Sequence, residues 1–402
     1  MSQRALAVLA ACLFTVLISY ATRYGYGILL PEMLPALGIT KTQAGVIYSS
    51  FFVAYTICSP LLGLLGDRYD KRLLITVFVA LLGAGAFLMS FSASILQASL
   101  FFMLAGIGSA ACWAPVMALA QRWTSDKHRG KTLAFVDVGS ALGIVGTSTA
   151  IPAIVMAQGW RTGWMALGAF GVLVAVMDLL VMRSPPGDRP RALPNGPVKY
   201  PAETIGATYR KLLRDRKFWL IGLAYTFTGF TVIIQFTFLS TYAAQELAFS
   251  YGAATRLVAV IGIGAVVGKL VLGPVSDKTG RIKIMMLCAV LMAAGSLGIA
   301  YARGIMLIAF TAVFSLGYGA VWSMYAAAAS DYFSKEYAGS IVGLWTVYLG
   351  IGSLVAPTLA GWIADTTGTL SWSFMMGAAG GVVSLLLLIP VWRSPSGGLP
   401  GR

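Results

Sequence analysis

The chain has little charge. Only 11% of its 402 residues are Asp, Glu, Lys or Arg, less than half of the roughly 25% typical of a soluble domain. Hydrophobic residues make up 58% and mean hydropathy is +0.81; together these exclude a water-soluble fold. The one histidine, His128, stands in a basic stretch. With no buried Ser/His/Asp set and no metal-ligand cluster, the chain lacks what a membrane enzyme needs. No Walker-type phosphate loop is present, which argues against ATP-driven work by this chain alone. Cys12, Cys58, Cys112 and Cys288 all fall within apolar runs, a placement that supports neither a disulfide framework nor a zinc site. No cofactor and no metal are implied.

What the sequence does have is long apolar runs. A bilayer core about 30 Å thick needs roughly 20 mostly apolar residues per helix, and twelve such stretches follow one another. Spans 1 to 6 cover about 5–30, 42–65, 73–92, 95–121, 131–157 and 162–182; spans 7 to 12 cover about 217–243, 250–274, 283–301, 305–330, 339–364 and 372–392. The first run continues past Tyr20, too long for the roughly 7–15-residue core of a signal peptide. Between the two sixes lies a polar segment with Pro185, Pro186, Pro190, Pro194, Pro197 and Pro201. The expected organisation is a six-helix bundle over 1–182, a linker over 183–216 and a second bundle over 217–402. The linker's end, near 204–216, is polar enough for a short surface helix.

Net charge is +15, yet the basic residues alternate between loops rather than covering one face, which argues against nucleic acid as a partner. Of the 29 Lys and Arg residues, 23 fall on one side of the predicted spans and only Lys41, Arg161 and Arg303 on the other. The positive-inside rule then places both termini and the linker in the cytoplasm. The expected location is the cell membrane, the inner or plasma membrane, crossed many times.

The halves repeat. Gly63-Leu-Leu-Gly-Asp67-Arg68-Tyr-Asp70-Lys71-Arg72 follows span 2, and Gly273-Pro-Val-Ser-Asp277-Lys278-Thr-Gly280-Arg281 follows span 8, 210 residues later. Gly108 and Trp113 in span 4 recur as Gly317 and Trp322 in span 10, at an offset of 209. These loops resemble the signature of the major facilitator superfamily, with Asp70 in place of the family's glycine in the first copy and Ile282 where a further basic residue is common. The resemblance implies an all-α polytopic fold of twelve transmembrane helices in two pseudo-symmetric six-helix bundles. It also implies gating roles for Asp67, Arg68, Arg72, Asp277 and Arg281: a carboxylate at a helix end accepts hydrogen bonds and pairs with arginine, forming a latch that breaks as the halves rock. The alternative is that Arg68, Lys71 and Arg72 anchor the loop to anionic headgroups. Gly139, Gly143 and Gly146 in span 5 resemble a weakened antiporter glycine motif, or simply permit close helix packing.

A charge inside a bilayer marks function unless it finds a partner or the surface. Lys269 precedes Asp277 by eight residues, about 12 Å inward at 1.5 Å per residue. Its context, Gly268-Lys269-Leu-Val-Leu-Gly273-Pro-Val-Ser-Asp277, resembles a stretch of monocarboxylate and oxalate/formate transporters in which an arginine binds the substrate carboxylate. Lysine there offers a point charge without a bidentate fork. The resemblance gives a second cation to span 1 or span 11; Arg23 lies in span 1, and span 11 has no basic residue. Asp137 is either a proton carrier or the counter-ion of Lys269 or Arg23. Arg256 and Asp178 lie nearer the span ends, where snorkelling to the interface is expected. Trp113 and Trp322 sit mid-span at matching depths and, with Tyr24, Tyr26, Tyr225, Gln235 and Tyr325, are expected to wall a central cavity.

The expected function is secondary transport by alternating access. A small organic anion, a monocarboxylate such as lactate or pyruvate, would be held by Arg23 and Lys269, with a proton or a counter-substrate as a possible co-partner. The chain is expected to work as a monomer in the bilayer. An exporter of drug-like compounds or a dicarboxylate exchanger within the same superfamily is the alternative, kept open by Asp137. A channel would lack the two-half repeat with gating loops.

Overall fold

A computed structural model describes residues 3–68, 70–124, 128–183, 212–333 and 338–393, the side chains of 63–68, 129 and 338–340 apart. Within these residues every regular element is helical. Twelve helices are long and apolar enough to cross a membrane: Gln3–Leu37, Lys41–Leu62, Lys71–Met89, Ile95–Arg122, Gly130–Gln158, Trp160–Val181, Arg216–Glu246, Tyr251–Thr279, Arg281–Tyr301, Ile305–Tyr332, Ile341–Thr367 and Ser371–Arg393. They are spans 1 to 12.

Local chemistry explains the departures from straight helix. Span 1 runs through Pro31 and Pro35 to Leu37, beyond its expected end near residue 30. Pro35 has no N–H to give the Pro31 carbonyl. Gln245 Nε2 donates to that carbonyl instead, at 3.3 Å, so the freed group is satisfied and the helix continues. Span 4 breaks at 110–113, between Ile95–Ser109 and Ala114–Arg122. Pro115 cannot donate to the Ala111 carbonyl and its ring crowds that group, whereas it is well tolerated in the first turn of the helix that restarts at Ala114. Asp70, the departure from the glycine of the family's loop, caps span 3 by accepting from the Arg72 N–H at 2.9 Å.

Packing repeats as the sequence does. Span 1 packs on 5 and 6, span 3 on 4 and 6, and span 2 on 4; span 7 packs on 11 and 12, span 9 on 10 and 12, and span 8 on 10. Adding six to each number in the first set gives the second, the mark of pseudo-twofold symmetry between two six-helix bundles. Across the halves span 2 meets 11, span 5 meets 8, and span 1 meets 7. Spans 7 and 1 have the most deeply buried windows, 72% and 61%, and form the centre. Within the first bundle Gly139 and Gly143 let span 5 touch the backbone of span 1; an added Cβ would lie 2.4 Å from the carbonyl oxygens of Leu13 and Leu17 respectively.

At the end opposite the termini, two carboxylates from the second half grip the start of span 2. Asp365 accepts from the backbone N–H of Lys41 and Thr42 at 3.1 and 2.8 Å and from the Thr42 hydroxyl at 2.5 Å. Glu246 pairs with the Lys41 ammonium at 2.9 Å and accepts from Leu370 N–H and the Thr369 hydroxyl. A negative group at a helix N-terminus satisfies free N–H groups and complements the dipole.

Candidate functional site

Lys269 projects from span 8 into a cleft between the halves, lined by Tyr20 of span 1, Ser140 and Ile144 of span 5, and Tyr318 and Trp322 of span 10. The cleft's cavity volume is about 20 Å³, room for about one water. Across the cleft the Lys269 ammonium meets Asp137 Oδ2 at 2.5 Å; the Ser140 hydroxyl donates to the Asp137 backbone carbonyl at 2.7 Å and lies 3.2 Å from the other carboxylate oxygen. This ion pair joins span 5 of one half to span 8 of the other. The side chains stay 31% and 25% exposed, so the pair is not sealed inside either bundle.

Arg23 is arranged differently. Its guanidinium carbon lies 4.5 Å from the Tyr55 ring centroid and 5.4 to 5.7 Å from those of Tyr20, Phe51 and Phe52, a cage of cation–π contacts. Nη2 donates to Ser109 Oγ at 3.2 Å, whereas the buried Nε has no partner. Among the described residues no carboxylate pairs with Arg23. Tyr20 is shared between this cage and the Lys269 cleft, and its ring also touches Tyr24 and Trp113. Tyr24 stacks on Phe236 of span 7 at 3.7 Å between centroids and accepts from the Tyr318 hydroxyl at 3.5 Å.

The expected site residues thus divide. Lys269, Trp322 and Tyr24 stand at or beside the interface between the halves, with Arg23 one ring away and Trp113 against Tyr20. Tyr325 lies behind the cleft, stacked on Tyr225, which in turn touches Trp322; its hydroxyl is bound to Thr228. Tyr26 is packed inside the first bundle against Tyr48, Phe102 and Trp164, its hydroxyl donating to the Ala44 carbonyl. Gln235 is buried in the second bundle and donates to Ser296. Neither Tyr26 nor Gln235 lines the Lys269 cleft, because helical periodicity turns them toward neighbours in their own half.

The gating residues also sort by position. Arg281 pairs with Asp277 and, at 3.5 Å, with Asp331, joining spans 8, 9 and 10 within the second half. Arg72 donates from Nε to the Leu179 carbonyl at 2.7 Å, tying span 3 to the end of span 6. The side chains of Asp67 and Arg68 lie outside the described residues. Asp178, expected to snorkel, is instead fully buried against span 1, with Thr15 Oγ 2.7 Å from its Oδ2. Arg256 does turn to the surface and its own helix end, donating to the Gly252 carbonyl.

Tyr20, Tyr55 and Tyr318 belong to this constellation and were not singled out from sequence. Tyr20 could have been, lying three residues before Arg23 and so on the same helix face.

The sequence model of the Major Facilitator Superfamily matches residues 12–305 and, again, 221–401, and the chain belongs to that family. It is a membrane transporter, not an enzyme. A hexuronate transporter of Bacillus subtilis is 24% identical, with 94% of each chain aligned. Monocarboxylate transporter 12-B of Danio rerio is 23% identical over 83% of this chain and 76% of its own. Among solved structures, a bacterial homologue of the human lysosomal transporter Spinster, inward-facing and unoccupied, superposes with a TM-score of 0.77 at 16% identity, covering 97% of this chain and 96% of its own.

Proposed function

We propose that the chain carries a small organic anion across the membrane by alternating access, with Arg23 as the anion receptor. One observation carries this reading: a guanidinium inside the first bundle, caged by aromatic rings, with a buried unpartnered Nε and no carboxylate among the described residues. An arginine so placed attracts an anion, and the fork of its N–H groups suits a carboxylate. The hexuronate and monocarboxylate carriers named above support an acid as cargo. A monocarboxylate such as lactate or pyruvate is the substrate we favour. The halves, 1–182 and 217–402, move as bodies about the 183–216 linker, and both termini face the cytoplasm.

Lys269 and Asp137 then act as a latch between the halves, with Asp137 as counter-ion rather than proton carrier. Support comes from their direct pairing across the cleft. The end opposite the termini is held by Asp365 and Glu246, which fits a state open toward the cytoplasm.

The test is uptake of labelled lactate and, separately, glucuronate into liposomes containing the purified protein. Saturable uptake of lactate that Arg23→Gln lowers by more than tenfold and Arg23→Lys lowers less is the expected result. Uptake undiminished in Arg23→Gln would remove Arg23 as receptor; no uptake of either acid would remove the organic-anion reading.

A further inference from the structure

The structure holds a second ionisable centre that the ion-pair latch and the anion receptor leave unused. Asp178 of span 6 has no exposed surface. Its Oδ2 lies 2.7 Å from Thr15 Oγ, and its Oδ1 is buried without a partner. Thr15 Oγ is also 3.0 Å from the Ala11 carbonyl oxygen.

Counting protons decides the state of this group. A threonine hydroxyl has one hydrogen, and here it faces two acceptors. If Asp178 were ionised, one of the two contacts would be left without a hydrogen, and a carboxylate oxygen would stand bare in an apolar interior, a costly arrangement. If Asp178 carries a proton on Oδ2, the carboxyl donates to Thr15 and Thr15 donates to Ala11. Both contacts are then hydrogen bonds, and the bare Oδ1 is merely a neutral carbonyl.

The same face of span 1 leads to the anion receptor. Ser19, one turn beyond Thr15, has its Oγ 2.8 Å from Ser109 Oγ, and Arg23, one turn further, donates to that same Ser109. We propose that Asp178 is the site of a coupled proton, whose binding strengthens the hold of Arg23 on its anion. Ionised Asp178 would compensate the Arg23 charge and weaken the attraction for substrate, whereas protonated Asp178 leaves that attraction whole. By linkage, the anion in turn favours the proton. Thr15 and Arg23 are eight residues apart, about 12 Å along the helix. Unit charges at about that separation, with an effective dielectric near 20, alter each other's affinity by about tenfold. Release breaks the carboxyl O–H bond and hands the proton to water at the end of span 6, which ends at Val181.

Other ionisable groups on the packed elements have different engagements or positions. On span 3, Arg72 is bound to the Leu179 carbonyl and Lys71 is buried at the helix start. On span 5, Asp137 is paired with Lys269 and Lys131 lies near the helix start. Cys12 on span 1 and Cys112 in the break of span 4 are buried free thiols.

The role of Arg23 in this coupling rests on the anion-carrier reading, but the protonation of Asp178 does not. Infrared spectra of the substrate-free protein in lipid, at neutral pH, should contain the C=O stretch of a protonated carboxyl that disappears in Asp178→Asn and shifts in Thr15→Val. If Asp178→Asn fails to fold, Thr15→Val still reads the site. Absence of that band, or a band indifferent to the variants that fold, overturns the proposal. In liposomes, the KM for labelled lactate should rise by about tenfold as the pH is raised from neutral and Asp178 loses its proton in the wild type, and stay flat in Asp178→Asn. A wild-type pH slope in that variant also overturns it. Failure of lactate uptake altogether would refute the substrate reading while the infrared result still judges the proton site.

Discussion

Lys269 was placed from sequence by counting inward from Asp277, and the structure puts it at the interface of the halves with Asp137 as its partner. Depth along a helix is legible in a sequence because the rise per residue is fixed. Facing direction and partner are less so, since each depends on helices far away in the chain. Sequence alone therefore leaves Asp137 between two roles. Asp178 was misplaced: its distance from the span end suggested the interface, yet the face it occupies is covered by Thr15, 163 residues earlier. The latch can be tested by exchanging its charges. Lys269→Asp alone should place two carboxylates together and lower transport by more than tenfold, as like charges at contact repel. Adding Asp137→Lys should recover most of the rate if the pair acts as a latch. No recovery in the exchanged protein would mean that Lys269 itself contacts the substrate.

At the scale of elements, the twelve spans were readable to within a few residues because a bilayer demands long apolar runs. Departures came at prolines: the helix continues where the freed carbonyl finds another donor, as at Pro31 and Gln245, and restarts where proline stands in a first turn, as at Pro115. The glycines of span 5 show what spacing alone leaves open. All three fit a small-residue pattern, but only two touch span 1; around Gly146 an added Cβ meets nothing within 4 Å. Gly143→Val should therefore destabilise the protein by about 1–3 kcal/mol or more, the usual range for overpacking, because the obstacle is backbone. Gly146→Ala should leave stability unchanged or slightly raised by its better helix propensity. Thermal unfolding of the detergent-purified variants measures both, and equal losses would mean that the approach of spans 1 and 5 is not set by these glycines.

For the whole molecule, the repeat of about 210 residues announced two related halves, and their internal packing repeats accordingly. What the repeat could not announce is how one half holds the other, since symmetry relates the bundles without specifying their asymmetric contacts. At the end opposite the termini those contacts are polar. Asp365 and Glu246 of the second half bind Lys41 and Thr42, and the Tyr251 hydroxyl donates to the Ile28 carbonyl at 2.9 Å. Opening this end requires breaking them together. Hydrogen bonds to charged groups contribute about 1.5–3 kcal/mol each, so the pair Asp365→Asn and Glu246→Gln should move the closed-to-open equilibrium by about tenfold or more. Ser49→Cys, at a buried position in the seam between spans 2 and 11 where the Ser49 hydroxyl donates to the Leu354 carbonyl, reports the change, with Cys58→Ser as background because Cys12, Cys112 and Cys288 are buried. Labelling by a membrane-impermeant maleimide should accelerate by a similar factor in the double variant. An unchanged rate would shift the explanation to the packed seams between spans 2 and 11 and between spans 5 and 8, whose contacts would then be enough to keep this end shut without these two carboxylates.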